Sequence, residues 1–169
     1  MITIADGNLL DCGANVIVQQ CNAVTRTSHG LSAEIAKRLP YANLYEQRAG
    51  LDEIGRSILC KPPTKNKQHP IVACLIAQLA PGKPGAWCKS YGIPASADTA
   101  KERLRYFRQA LVDLRAQLTE CDEGVQTIAF PDHIGCGLAG GDWSEYLHEI
   151  KQFAQSLPSS IHVTICKLK

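Results

Sequence analysis

The sequence predicts an α/β protein: a three-layer α/β/α sandwich around a mixed, largely parallel central sheet. Apolar segments of strand length alternate with segments of helical periodicity, in the order β, β, α, β, β, α, β, α, β. This alternation is typical of a sheet with helices on both faces. The 169 residues, 45% of them hydrophobic and 20% charged, are expected to form a single domain over residues 1–169.

Strand patterns in the first half of the chain occur at residues 1–4, 15–21, 55–59 and 71–77. The segment 15–21 is mostly apolar, so we expect it near the centre of the sheet. Residues 31–39 have a helical periodicity that ends before a proline, and 41–48 form a second helical piece. A turn at 6–8 and a polar excursion at 61–70 connect strands.

The second half contains the longest predicted helix, 97–118, whose apolar face recurs every three or four residues at Leu104, Phe107, Leu111, Leu114 and Leu118. A surface loop with prolines and glycines, 81–91, precedes it. A short buried strand at 127–130, a helix at 143–156 and a strand at 161–168 complete the pattern.

A glycine-rich stretch, GCGLAGG at residues 135–141, joins the strand at 127–130 to the helix at 143–156. Unpaired N–H groups and the positive end of the helix dipole attract phosphate at such a position. Glycine permits positive φ and a close approach to the backbone. A tight connection that binds nothing explains the same residues. Residues 22–30 form a second strand-to-helix loop, and two such loops side by side at the carboxyl ends of strands favour a diphosphate-bridged nucleotide.

Composition limits the other functions. The formal net charge of +2 does not indicate a basic nucleic-acid-binding protein. Neither a secretion signal nor a membrane-spanning apolar run is recognisable, so we expect a soluble protein in the cytoplasm or elsewhere inside the cell. The eight cysteines include no C-x-x-C pair and no zinc-like grouping, so we expect reduced, mostly buried thiols and no metal.

Several of these motifs resemble those of macrodomains, the ADP-ribose-binding modules, and the resemblance extends over residues 2–168. IADGNLL at 4–10 is similar to the opening strand and turn of that family, and IVQQCN at 17–22 to its apolar strand ending in asparagine. SHGLSA at 28–33 resembles its small-residue loop, and IGCGLAGGDW at 134–143 its second phosphate loop. The Gly-Cys-Gly-Leu form resembles most the branch of terminal ADP-ribose protein glycohydrolase, the yeast ADP-ribose phosphate phosphatase and antitoxin macrodomains that act on ADP-ribosylated DNA.

The resemblance implies ADP-ribose as the ligand, with no cofactor. Asn8 would face the adenine amino edge and Asn22 the distal ribose, although Asn22 at a strand end also suits a residue that caps its own turn. His29 would add a donor to the backbone N–H groups, or have no role. The predicted ligand-binding residues are Asp6, Asn8, Asn22, Ser28, His29, Gly30, Leu31, Ile134, Gly135, Cys136, Gly137, Leu138, Ala139 and Gly140.

The resemblance does not extend to the catalytic pair, because Gln78 and Leu79 stand where this branch would have a lysine, and Ala139 where it would have an aspartate. Lys83 would replace that lysine only if its loop folds inward. The remaining candidate catalytic residues are Asn22, Asp132, His133 and Asp142.

Each candidate has a simpler alternative. A nearby diphosphate would raise the pKa of an aspartate and suit it to proton transfer, but Asp142 also fits the N-cap of the last helix. His133 is a general base or an ordinary loop residue. A helix N-terminus would lower the pKa of the Cys136 thiol, although its backbone is the better candidate for function.

The sequence therefore predicts a monomeric protein that binds ADP-ribose and hydrolyses its linkage to protein or DNA, without contact with membranes. The alternatives are a non-catalytic reader of ADP-ribose and a phosphatase that removes a terminal phosphate from it. An NAD-dependent oxidoreductase is disfavoured, because no G-x-G-x-x-G follows the first strand.

Overall fold

The computed structural model describes residues 2–63, 69–120 and 124–168. Within these residues the chain forms one six-stranded sheet. The strands are β1 (Ile2–Asp6), β2 (Val16–Asn22), β3 (Ser57–Cys60), β4 (Ile71–Gln78), β5 (Thr127–Pro131) and β6 (His162–Lys167). Residues 64–68 of the predicted polar excursion, and Cys121, lie outside the described residues.

The sheet is mixed and largely parallel, as predicted. Its order is β1-β6-β5-β2-β4-β3, and each neighbouring pair is parallel except β3 with β4. β2 lies between β5 and β4, and its residues Val16 to Val18 are at most 1% exposed, so the expectation of a central strand is confirmed. The carboxyl ends of the five parallel strands meet at one edge of the sheet.

The helices are α1 (Leu31–Arg38), α2 (Leu44–Gln47), α3 (Ala100–Glu120) and α4 (Trp143–Ser156). α4 has the predicted bounds. The predicted helix at 41–48 is reduced to a 3₁₀ turn, Pro40–Ala42, and the single turn α2, because the side chain of Asn43 accepts the N–H of Glu46 and starts a new helix.

α3 begins three residues later than predicted. Asp98 is buried in an ion pair with Arg103, which leaves it outside the helix. The hydroxyl of Thr99 then accepts the N–H of Glu102 and caps the first turn. The predicted apolar face is confirmed, since four of its five residues are buried and Leu104 is partly buried.

Two apolar cores lie on opposite faces of the sheet, so the three-layer prediction is confirmed. Residues of β2 alternate between them: Val16 and Val18 pack in the core with α3 and α4, and Ile17 and Cys21 in the core with α1 and α2. None of the helices in the described residues is both long and apolar enough to cross a membrane.

The seven described cysteines carry free thiols, and five of them are buried: Cys21, Cys60, Cys74, Cys88 and Cys166. The expectation of mostly buried thiols is confirmed for these residues.

Candidate functional site

A cavity of about 520 Å³ opens at the carboxyl edge of the sheet. Its wall combines the ends of β1, β2, β4, β5 and β6 with the loops that follow them. The ten predicted site residues in the wall are Asn8, His29, Leu31, Asp132, His133, Ile134, Gly135, Gly137, Leu138 and Ala139. Those outside it are Asp6, Asn22, Ser28, Gly30, Cys136, Gly140 and Asp142.

The glycine-rich loop, residues 135–141, presents free backbone donors to the cavity. Two backbone hydrogen bonds close the loop on itself, from the N–H of Gly140 to the carbonyl of Gly137 and from the N–H of Gly141 to the carbonyl of Gly135. Within the described part of the chain, the N–H groups of Gly137, Leu138 and Ala139 have no acceptor. Three neighbouring N–H groups without acceptors are an arrangement that anion sites in proteins use.

Glycine occurs at the positions of this loop for two different reasons. A Cβ at Gly135 would lie 2.4 Å from Cε1 of Tyr146, and one at Gly141 would lie 2.4 Å from Cε2 of the same ring. These two glycines are therefore required because the Tyr146 ring packs between them. A Cβ at Gly137 would meet nothing within 4 Å, so the space above Gly137 is open to a ligand.

The first turn of α1 supplies a second set of donors. Its first backbone hydrogen bond runs from the N–H of Glu34 to the carbonyl of Gly30, which leaves the N–H groups of Leu31, Ser32 and Ala33 without an intrahelical acceptor. Gly30 precedes the helix with φ of 56°. The hydroxyl of Ser32 donates to Oε1 of the buried Gln19 at 2.7 Å and ties this turn to the sheet.

Asp132 and His133 form a close polar pair in the cavity wall. Oδ2 of Asp132 lies 2.8 Å from Nδ1 of His133, which leaves Nε2 for a ligand or water. His133 has φ of 55°, a conformation uncommon for a side-chain-bearing residue, and its ring stacks on Trp143 with centroids 4.8 Å apart. These two contacts fix the imidazole at the cavity.

Asn22 lies outside the cavity wall and caps its own turn, which is the alternative that its position at a strand end also allowed. Its Oδ1 accepts the N–H groups of Val24 and Thr25, at 3.0 and 2.9 Å, and its Nδ2 donates to the Thr25 hydroxyl. The register of β2 shifts between Cys21 and Asn22, so the in-and-out alternation along the strand does not predict which face of the sheet the Asn22 side chain occupies. Oδ1 of Asn8 likewise accepts the N–H of Leu10, which leaves only its Nδ2 as a donor to the cavity.

Asp142 is the N-cap of α4, again the simpler of its two explanations. Its carboxylate accepts the N–H groups of Ser144 and Glu145. Hydrogen bonds from the Ser144 hydroxyl and from these N–H groups hold the pKa of Asp142 below its usual value. A carboxylate held in the charged form in this way is poorly suited to proton transfer.

The expectation of a lowered pKa for the Cys136 thiol is wrong. Burial disfavours the thiolate, and the carboxylates of Asp142 and Asp132 add to the effect, which raises the pKa to about 11. The Cys136 thiol donates to the carbonyl of Ile134. Cys136 is therefore a packing residue of the loop.

An amide pair occupies the position where a lysine was expected. Nε2 of Gln20 donates to Oε1 of Gln78 at 3.0 Å, and Nε2 of Gln78 donates to the carbonyl of Ala80. Lys83 is exposed and lies outside the cavity wall, so it does not take the place of that lysine in the cavity. In the residues the structure describes, no group of three or more His, Cys, Asp or Glu side chains is arranged to hold a metal ion.

Nine residues of the cavity wall are not among the site residues predicted from the sequence. Gln19, Gln20 and Gln78 were predictable as site residues, because they are polar side chains near the carboxyl ends of two apolar strands. The other six have no signal of their own and depend on the folded chain: Gly7, Leu9, Ser32, Pro131, Cys166 and Leu168.

No family model and no curated protein matches this chain. Solved structures do match it. The macrodomain of Mycobacterium tuberculosis DarG has a TM-score of 0.74 at 21% identity, with 98% of this chain and 97% of that chain covered. The macrodomain of Thermus aquaticus DarG has a TM-score of 0.67 at 20% identity, with the same coverage.

A third structure is Thermosipho africanus DarTG in complex with ADP-ribose, with a TM-score of 0.70 at 14% identity; the match covers 98% of this chain and 41% of that one. Likeness at these identities concerns the backbone and not the side chains. This chain has the macrodomain fold.

Proposed function

We propose that this protein binds ADP-ribose in the cavity at the carboxyl edge of the sheet. The observation that supports the proposal most strongly is the row of free N–H groups at Gly137, Leu138 and Ala139, beside the free first turn of α1 in the same cavity wall. Two sets of backbone donors suit the two phosphates of a diphosphate. A volume of about 520 Å³ is in the range of small-molecule sites.

The order of the strands suggests how the ligand lies. Asn8, Leu9 and Leu168 form the wall at β1 and β6, with apolar surface and one amide donor for a purine ring. The glycine-rich loop follows β5 and the first turn of α1 follows β2, in the middle. Gln78 ends β4 at the other side. An adenine at the Asn8 end therefore directs the distal ribose toward the Gln20–Gln78 pair.

Calorimetric titration with ADP-ribose tests the proposal, with Asn8→Ala as the variant that probes orientation. If adenine lies at β1 and β6, this variant weakens the binding of adenosine and of ADP-ribose by the same factor. If adenine lies at β4, Asn8→Ala leaves adenosine binding unchanged.

Hydrolysis of an ADP-ribose linkage is a second candidate function, and the Asp132–His133 pair favours it. Water would attack the anomeric carbon and give its proton to Nε2 of His133, while the bond to the acceptor breaks and the acceptor takes up a proton. Asp132 would hold the imidazole in the required tautomer.

The position of this pair sets a condition on turnover. Asp132 follows β5, and its N–H donates to the carbonyl of Cys166 in β6. Gln78, in β4, is two strand spacings from β5 and three from β6, so roughly 10–14 Å separate the Asp132–His133 pair from Gln78. An acid–base group has to reach the reacting atoms directly or through one water. His133 therefore acts only if the distal ribose lies at the β6 end, and the opposite orientation favours a reader.

Incubation with ADP-ribosylated protein, ADP-ribosylated DNA and ADP-ribose carrying a terminal phosphate separates the functions. A hydrolase that uses the pair loses about 10²- to 10⁴-fold of its rate in His133→Ala, while Lys83→Ala as control has no effect. An inert protein that binds ADP-ribose is a reader, and release of phosphate alone identifies a phosphatase.

A further inference from the structure

Arg103, near the start of α3, is buried with 0% of its surface exposed. Its guanidinium pairs with Asp98 through Nη2 and Nε, at 2.6 and 3.1 Å. Its other bonds go to backbone carbonyls of two separate loops. It donates to Gly82 at 2.7 Å, to Ala80 at 3.0 Å and to Ala139 at 3.2 Å.

Asp98 connects the same centre to the end of β4. Its carboxylate accepts the N–H groups of Leu79 at 2.8 Å and of Ala80 at 3.3 Å. A buried ion pair adds little to stability by itself, but its geometry is strongly constrained because each remaining donor and acceptor needs a partner. The pair therefore fixes the segment 79–83 and the glycine-rich loop relative to each other.

The bond from Arg103 to Ala139 constrains which backbone groups of the glycine-rich loop face the cavity. Because Arg103 is inaccessible to solvent, its bond draws the carbonyl of Ala139 toward the protein interior. A carbonyl oxygen turned toward an anion would repel it, whereas the neighbouring N–H groups attract it. The two loops are also in contact, since a Cβ at Gly140 would lie 2.9 Å from Cδ of Pro84.

We propose that Arg103 is a positioning residue for the diphosphate: it holds the glycine-rich loop in its anion-binding conformation without touching the ligand. This inference rests on the proposed function, namely that the loop binds ADP-ribose. It assigns to the buried Arg103–Asp98 pair a role in the affinity for the ligand.

The test compares two ligands in Arg103→Lys. Lysine keeps the charge but has a single ammonium group that cannot reach both loops. ADP-ribose contains the diphosphate and adenosine does not, so the ratio of their dissociation constants reports on the loop. Loss of stability alone lowers both affinities by the same factor, because both ligands bind the native state.

The matched control is Leu114→Ala, which removes a fully buried side chain from the same helix and no bond to either loop. We expect Arg103→Lys to weaken ADP-ribose at least about tenfold relative to adenosine, and Leu114→Ala to leave the ratio unchanged. Amide NMR shifts of Gly137 to Ala139 in the free protein should move in Arg103→Lys only.

An unchanged ratio in Arg103→Lys, with wild-type protein binding ADP-ribose, would overturn the inference and leave the proposed function intact. If wild-type protein binds no ADP-ribose, the proposed function itself fails. Should Arg103→Lys not fold, the double variant Asp98→Asn, Arg103→Gln removes both buried charges together. The ratio of the ADP-ribose and adenosine dissociation constants in the double variant then tests the inference in the same way.

Discussion

At the scale of single residues, the open space above Gly137 is the feature that most directly connects the loop to a ligand. Gly135 and Gly141 accommodate the ring of Tyr146, whereas Gly137 has free space above it and φ outside the left-handed region. A side chain at Gly137 is therefore compatible with the fold and incompatible with a ligand in the same space.

Gly137→Glu should abolish ADP-ribose binding, because a carboxylate would occupy the anion's position and repel it. The variant should melt within a few degrees of wild type. Gly137→Gln is the matched control for bulk without charge, and it should retain more affinity than Gly137→Glu. Wild-type affinity in Gly137→Glu, measured by calorimetry, would show that the loop has been misassigned.

Gly135→Ala, in contrast, should lower the stability of the fold. Its Cβ would overlap the Tyr146 ring at a φ of 72°, so we expect a loss of roughly 1–3 kcal/mol in the free energy of unfolding. Urea denaturation measures this loss. Unfolding at the wild-type urea concentration would contradict the close packing of the Tyr146 ring against Gly135.

Asp142 should contribute to stability and not to turnover. Since its folded-state pKa is lowered, its contribution is present above the ordinary carboxyl pKa of about 4 and is lost as pH falls through the folded value. Asp142→Asn keeps a capping side chain but cannot titrate, so the stability difference from wild type should shrink as pH falls below about 4 and vanish once Asp142 is protonated in the folded protein. A difference that persists in acid would rule out this linkage.

At the scale of elements, the first turn of α4 supports the whole glycine-rich loop. Asp142 caps the helix, Trp143 stacks on His133, and the Tyr146 ring lies between Gly135 and Gly141. Tyr146 is 1% exposed, and its hydroxyl lies beside the Gln20 side chain without reaching hydrogen-bond geometry with any described residue. The ring, and not the hydroxyl, is therefore the structural part of this side chain.

Tyr146→Phe should leave the free energy of unfolding unchanged or raise it, because it removes a buried hydroxyl that does not reach hydrogen-bond geometry with Gln20 or any other described residue. Tyr146→Ala, as the comparison, should cost about 3–5 kcal/mol because it opens a cavity beneath the loop. Chemical denaturation of both variants gives these values. A loss above about 1 kcal/mol in Tyr146→Phe would mean that the hydroxyl donates a hydrogen bond to the neighbouring Gln20 side chain.

Elements with long-range periodicity were predictable from the sequence, and those set by local side-chain bonds were not. The apolar repeat of 143–156 and its capping aspartate defined α4 correctly. The start of α3 depends on Asp98 being buried against Arg103, a contact that no periodicity indicates. The break near Asn43 depends on a side-chain cap within a segment of otherwise helical composition.

At the scale of the whole molecule, parallel topology brings the two predicted loops to one edge of the sheet. That much of the site followed from the order of strands and helices together with the glycine-rich stretch. The orientation of side chains at strand ends did not. Asn22 turns to cap its own loop after a shift in register, while Gln78 in the neighbouring strand lines the cavity.

Calorimetric titration of the wild-type protein with ADP-ribose, repeated on Gly137→Glu, tests the central claim most directly. We expect saturable heat for one site in the wild-type protein and none in the variant. Ligand at a hundredfold excess over its dissociation constant should raise the free energy of unfolding by about 2.7 kcal/mol, visible as a higher melting temperature. Absence of heat and of a thermal shift at millimolar ADP-ribose would contradict the claim.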